Sequence, residues 1–337
     1  MRSTCSLYVD TGYLLASAAT RVTGTSLRSG IHVDYAALIA SLVSVAESRS
    51  QLPVLRVHWY DSARHGIPDS QQERIGELPK VKLRLGRFGV NGEQKGVDLR
   101  IGLDLVTHAR NGASDIFFLV SGDDDLTEAV EEAQVHGVQV VLLAVPTVGG
   151  TPHGVSRHLV RAADELDTID GDTVDGAVMK VERRPRPQIS SPPSGPAEPA
   201  HAVTAADLGV DRARSSRPTP LDLAARRPAA ATPTPASVAV PAYTSATGRS
   251  AWIAPGFDDP TGGEDVIDDV VKQVLASFLN SAATNEVDQL KRARPSIPPD
   301  IDRALLRDAS DALQIDDLDE SIRHRLRARF WENLTVD

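Results

Sequence analysis

Apolar positions along the first 170 or so residues switch between two rhythms. Leu7-Tyr8-Val9-Asp10 is a short apolar run ending in an acid. Ile116 to Val120 is a continuous apolar run closed by Ser121-Gly122, and Val138 to Val145 is another. Val54 to Tyr60 is β-rich, and Val81-Lys82-Leu83-Arg84-Leu85 alternates with period two, as a strand exposed on one side does. Between these runs the spacing turns helical. Val33 to Ser48 gathers Ala37, Leu38, Leu42, Val45 and Ala46 roughly on one face, and Val97 to Ala109 carries a stripe of Val97, Ile101, Leu105 and His108. Leu126 to His136 reads as a further helix, stopped by Gly137. Repeated β-α-β units with continuous apolar strands predict an α/β domain built on a parallel sheet, with helices on both faces.

The pattern then breaks. From Pro185 onward prolines crowd among Ala, Ser, Thr and Arg, and a second group runs from Pro218 to Pro241. Such a stretch buries too little apolar surface to offset its ordering entropy, so it reads as a disordered, mildly basic linker. Helical spacing returns with Val266, Val270, Val274, Leu275 and Phe278. It recurs with Ile301, Leu305, Leu306 and Ala309 after Pro298-Pro299, and with Ile322, Leu326, Phe330, Trp331 and Leu334. The expected layout is an α/β domain at 1–172, a linker at 173–255 and a small all-helical domain at 256–337. The last helix carries Arg323, Arg325, Arg327 and Arg329 with period two, which spreads them over more than one face. That spread favours a recruitment module for partner binding or self-association over a focused RNA-binding surface. The α/β domain is expected to fold without it.

Composition narrows the class. Hydrophobic residues make up 41% and charged residues 24% of the 337, ordinary globular usage. No apolar run is long enough to span a bilayer. Met1 to Ser6 leads into a strand-like segment without the apolar core of a signal peptide, and Cys5 is the single cysteine. The expected compartment is the cytoplasm, with neither an internal disulfide nor a cysteine-built zinc site. A net charge of −10 argues against a broad basic surface gripping duplex DNA. It is compatible with an enzyme whose acids hold a cation, since bound metal reverses the local sign.

The acids are placed for that. Asp10 follows the first strand, Asp98 opens a helix after Lys95-Gly96-Val97, and Asp123 and Asp125 follow the strand at Ile116 to Val120. Ligands of open parallel sheets bind beyond the carboxyl ends of the strands. Clustered carboxylates repel one another unless a cation neutralises them, and hard oxygen donors suit Mg²⁺ or Mn²⁺. Any single one of these, Asp98 or Asp125 for instance, also reads as a helix N-cap. The set in this arrangement favours metal.

Leu7-Tyr8-Val9-Asp10, Lys95-Gly96-Val97-Asp98 and Ser121-Gly122-Asp123-Asp124-Asp125 together resemble the NYN domain, the LabA-like branch of the PIN-like nucleases. The resemblance covers roughly residues 4 to 170. It implies a PIN-like three-layer α/β/α fold and endonucleolytic hydrolysis of RNA. Asp10, Asp98, Asp123 and Asp125 would be the Mg²⁺ or Mn²⁺ ligands. Two positions depart from the family: Tyr13 stands where Asn is common, and Asp124 fills a slot that is usually small and polar.

Four further residues are candidates for supporting or substrate contacts. Asp104 shares a helical face with Val97 and reads equally as an additional acid near the site or as a flank residue. Lys95 reads either as a point charge reaching a phosphate or as plain loop surface, with the contact slightly favoured. Ser121 reads as a turn residue rather than a nucleophile, because no histidine is paired with it. Tyr13 borders the first acid. The leading function is thus a metal-dependent endoribonuclease preferring single strands. A non-catalytic RNA- or protein-binding adapter on the same fold is the alternative. A Toprim-like phosphoryl-transfer enzyme using Asp123-x-Asp125 is a third reading.

Overall fold

The computed structural model describes residues 3–63, 66–88, 94–181, 260–315 and 317–336. In chain order the first half runs β1 (Cys5–Asp10), α1 (Thr11–Thr23), a 3-10 turn (Arg28–Gly30), β2 (Ile31–Val33), α2 (Tyr35–Ser50) and β3 (Val54–Ala63). It continues with α3 (Ser70–Gly76), β4 (Val81–Phe88), β5 (Gln94–Lys95), α4 (Val97–Arg110) and β6 (Ile116–Val120). A second 3-10 turn (Asp124–Leu126) leads into α5 (Thr127–Val135), then β7 (Gln139–Ala144), α6 (Arg157–Ala162), β8 (Glu165–Thr168), α7 (Gly171–Ala177) and β9 (Val178–Lys180). The C-terminal helices are α8 (Pro260–Ser281), α9 (Thr284–Ala293), α10 (Pro299–Leu313) and α11 (Glu320–Val336).

The main sheet has the order β5-β4-β3-β1-β6-β7-β8. Every pairing is parallel except β4 with β5. Side-chain alternation sorts its residues between two cores. Leu7, Val9, Phe118, Val120, Val141 and Leu143 join α1 and α2 residues such as Leu14, Ala18, Leu38 and Leu42 on one face. Tyr8, Phe117, Leu119, Val140 and Leu142 meet Ile101 and Leu105 of α4 and Val130 of α5 on the other. Burial on both faces explains why these strands read as continuous apolar runs. The result is the three-layer, mostly parallel α/β/α architecture expected from the sequence, followed by an all-helical C-terminal segment.

β1 pairs with β3 on one side and β6 on the other. The chain first builds outward from β1 through β3 and β4, then returns by α4 to β6 on the opposite flank. Strand order therefore reverses at β1, and the carboxyl ends of β1 and β6 open on the crevice where such sheets bind ligands.

Two features differ from the sequence expectation. Ordered structure continues past residue 172, because α7 leads into β9, which pairs antiparallel with β2. The remainder of the expected linker, 182–255, lies outside the described residues. The C-terminal helices are also not separate from the first half, and the two form one compact unit. Leu27, in the loop after α1, is fully buried in the core of the C-terminal helices beside Val274, Leu305 and Leu326. Asp308 of α10 accepts the Ser26 backbone N–H at 3.0 Å, and Gln273 of α8 donates to the Gly24 carbonyl at 2.8 Å. The expectation that these helices stand apart as a separate domain fails on these contacts, since an exposed Leu27 would leave a large apolar side chain in water. The period-two arginines of α11 are absorbed by ion pairs. Arg323 meets Asp317, Arg325 meets Glu264, Arg327 meets Asp302, and Arg329 meets Glu264, Asp268 and Glu332.

Candidate active site

Asp10 is the last residue of β1 and the N-cap of α1. Its Oδ1 accepts the Gly12 N–H at 2.8 Å, and its Oδ2 accepts the Ser121 hydroxyl at 3.3 Å. The carboxylate is buried, and burial raises its pKa. The Tyr13 and Gly12 N–H groups and the charges of Arg28 and Arg307 work against that rise. Ser121, buried at the end of β6, also accepts the Asp123 N–H at 3.3 Å. It ties the two strand ends together, in keeping with its reading as a turn residue.

Gly122 makes that turn possible. A Cβ there would lie 1.8 Å from the Gly154 carbonyl oxygen, so only glycine lets the loop before α6 close on the end of β6. Asp123 then caps the 3-10 turn by accepting the Asp125 N–H at 3.0 Å. Capping thus falls to Asp10 and Asp123, not to Asp98 or Asp125. α4 begins instead at Gly96, whose φ of +82° is costly for any residue with a Cβ, and no side chain caps it. Asp98 lies in its first turn and lines the same cavity as Asp10.

Asp10, Asp98 and Asp123 line one cavity of about 900 Å³. The pKa of Asp98 is pushed up to about 6, first by burial and then by the charges of Asp10, Asp123 and Asp125. The carboxylates are therefore near enough to destabilise one another's ionised forms. Asp125 is exposed and takes part at longer range, without lining the cavity. Among the described residues, no three His, Cys, Asp or Glu side chains already form a ligand cluster around an ion position. The donor chemistry nevertheless fits a hard divalent cation, with carboxylates on separate elements converging on one cavity and Asp98 carrying the electrostatic cost of their proximity.

The supporting candidates divide. Asp104 faces the sheet, as its helical position suggested, but it does not line the cavity. It accepts the Tyr60 hydroxyl at 2.9 Å and a two-pronged contact from Arg84. Burial raises its pKa, but the bonds from Arg84 and Tyr60 outweigh burial and hold the carboxyl below its ordinary value. Around it Tyr8 stacks on His58 and hydrogen-bonds His108 Nδ1 at 2.9 Å, a polar cluster under the sheet that histidine spacing did not suggest. Tyr13 does line the cavity. Its hydroxyl donates to the His153 carbonyl at 2.7 Å and accepts the Val145 N–H at 3.2 Å. Asp124 turns away to accept the Ser156 hydroxyl. The backbone of Lys95 pairs with that of Arg87, and its side chain lies outside the described residues.

The opposite wall holds residues that sequence reasoning did not single out. Arg28, in the turn after α1, and Arg303 and Arg307 of α10 line the same cavity. Their one available signal was the i, i+4 spacing of Arg303 and Arg307 along the edge of an apolar stripe.

The model of the NYN domain family matches residues 5–170. The N-terminal half is an NYN domain. This places it in the PIN-like nuclease superfamily, as its motifs and three-layer fold led one to expect. An uncharacterized protein, y4oD, of Sinorhizobium fredii (strain NBRC 101917 / NGR234) is 34% identical over 143 residues. That match spans 42% of this chain and 65% of the relative. The NYN family is one of nucleases that generally use divalent ions. In this protein no helix among the described residues is long and apolar enough to cross a membrane.

Proposed function

We propose that this protein is a metal-dependent endoribonuclease. The observation that carries the reading is the convergence of Asp10, Asp98 and Asp123, from two strand ends and one helix start, on a single cavity. Asp10 and Asp98 would hold Mg²⁺ or Mn²⁺ with Asp123, and Asp125 would add negative charge from the rim. A bound divalent ion supplies Lewis-acid stabilisation and lowers the pKa of water enough for attack at neutral pH. The protein's own part is orientation. Gly12 N–H and Ser121 fix the Asp10 carboxylate, and Gly96 turns the chain so that Asp98 faces it. Attack on phosphorus with departure of the 3′-oxygen leaves a 5′-phosphate and a 3′-hydroxyl.

One observation favours the second reading, a non-catalytic RNA- or protein-binding adapter: both oxygens of Asp10 already accept hydrogen bonds from the protein. A labelled single-stranded RNA separates the two. The nuclease cuts it with Mn²⁺ or Mg²⁺, stops in chelator, and loses activity in Asp10→Asn. The adapter binds the RNA and never cuts it.

A further inference from the structure

The C-terminal helices bring cations to a site whose N-terminal wall is acidic. Arg303 and Arg307 lie one turn apart on α10, and Arg28 joins them from the turn after α1. Among the half-buried arginines of the described segments, Arg21 is matched by Asp175, Arg84 by Asp104, and Arg323, Arg327 and Arg329 by the acids given above. Arg28, Arg303 and Arg307 make no ion pair among the described residues. Arg28 donates to the Gly12 carbonyl at 2.9 Å, and Arg307 lies over the Tyr13 ring, 5.8 Å from its centroid.

Half-buried guanidinium groups this close to one another repel, and an anion bound between them offsets that repulsion. Burial pulls the pKa of Arg28 down and the charges of Arg303 and Arg307 add to the effect, while Asp10 and Asp61 oppose it. The cavity they share with the carboxylates is of a size that admits a few nucleotides of one strand. Ile297, Leu306 and Leu318 give it an apolar wall suited to the face of a base.

We propose that α10 completes the substrate site: Arg303 and Arg307, with Arg28, form a subsite for the backbone phosphates of a single-stranded RNA beside the three carboxylates. The proposal rests on the nuclease reading of that cavity. Guanidinium groups bind phosphate through paired N–H donors, a geometry lysine cannot reproduce. In a chain of net charge −10 such a local cluster is what offsets long-range repulsion of a polyanion. The docking of the C-terminal helices through Leu27 and Asp308 would then serve to assemble the substrate site, where the sequence suggested recruitment of a partner.

The test uses the full chain and a fluorescein-labelled single-stranded oligoribonucleotide. Binding is followed by anisotropy in chelator across a salt titration, and cleavage of the same RNA is followed in Mn²⁺. The double variant Arg303→Gln, Arg307→Gln should weaken binding by roughly tenfold or more. It should flatten the slope of log Kd against log salt by about 0.7 for each phosphate no longer neutralised, and it should raise KM. Arg307→Lys keeps the charge, so it should keep the salt slope while losing affinity; it also guards against misfolding of the double variant. Arg292→Gln, on the exposed surface of α9, should change neither. Unchanged affinity and slope in the double variant overturn the proposal. Tighter binding or faster cleavage also overturns it and makes α10 an inhibitory cover. If the unaltered protein neither binds nor cuts RNA, the nuclease reading itself fails and this subsite falls with it.

Discussion

The guanidinium of Arg307 lies over the ring of Tyr13, 5.8 Å from its centroid. Tyr13 comes from the first turn of α1, just after Asp10, and Arg307 comes from α10 near the other end of the chain. The pair joins the C-terminal helices to the acidic end of the sheet. It also gives a physical account of one departure from the NYN pattern. Where an asparagine would offer only a short polar group, the tyrosine offers a π-face to a cation and a hydroxyl that pins Val145 and His153.

Tyr13→Phe keeps the ring and removes both hydroxyl bonds, leaving the Val145 N–H without its partner. The expected cost is about 1–3 kcal/mol of stability, read from urea unfolding. A loss well under this range would mean that the hydroxyl does not hold the loop to β7.

Proteolytic nicking within 182–259 should leave the two fragments together, because Leu27, Asp308 and Gln273 hold them without help from the connecting chain. Co-elution of both fragments in size exclusion is the expected result. Leu27→Ala removes a fully buried side chain from that junction and should cost about 2–5 kcal/mol. Fragments that separate freely would contradict the docked arrangement.

Much of this arrangement was legible in the sequence, and the reasons are local. Alternation at Leu7 and Val9 against Tyr8, and continuous burial from Phe117 to Val120, follow from a two-sided sheet and leave a period that a reader can see. The acids were legible because each sits beside a strand end or a helix start that its neighbours already announce. β2, β9 and α7 were not, because three-residue strands have no period and Gly171–Ala177 is short and polar. The arginine wall was hidden for another reason. Arg28 meets Arg303 and Arg307 only after α10 docks, and no local pattern records a contact between distant segments. The arginines that do stand out by eye, on α11, are neutralised by acids on α8, α10 and α11 and on the segment before α11.

His58 gives the stability a pH signature. It is buried against Tyr8 and 4.5 Å from the His108 ring, and its pKa is lowered to about 4, by burial first and by His108 next. Asp104, Arg84 and Arg56 are the charged groups that act on it. An unfolded chain takes up the proton near pH 6.5 and the folded one resists it. Stability due to His58 is therefore complete above about 6.5 and falls as pH drops toward 4, by at most about 3 kcal/mol. Asp308 works in the opposite direction. Its pKa is pushed up to about 6, chiefly by burial, so it favours the fold as pH falls through that value. Comparing the native chain with His58→Phe isolates the first effect: the variant should lose less stability between neutral and acidic pH. An identical pH dependence would show that His58 titrates normally.

Mn²⁺ should raise the melting temperature of the full chain, since an ion bound to the folded state alone stabilises it by mass action. Asp123→Asn should lose much of that gain, while its stability without metal rises as repulsion on Asp98 is relieved. Melting indifferent to millimolar Mn²⁺ would count against a metal site.

The most direct test of a metal-dependent ribonuclease is the chemistry of the ends it makes. A single-stranded RNA labelled at either terminus is incubated with the full chain in Mn²⁺, and the fragments are resolved with and without phosphatase and periodate treatment. The account predicts internal cuts bearing 5′-phosphate and 3′-hydroxyl, abolished by chelator and reduced at least ~100-fold in Asp98→Asn. Cyclic phosphate ends, or cutting that survives both chelator and Asp98→Asn, would contradict it.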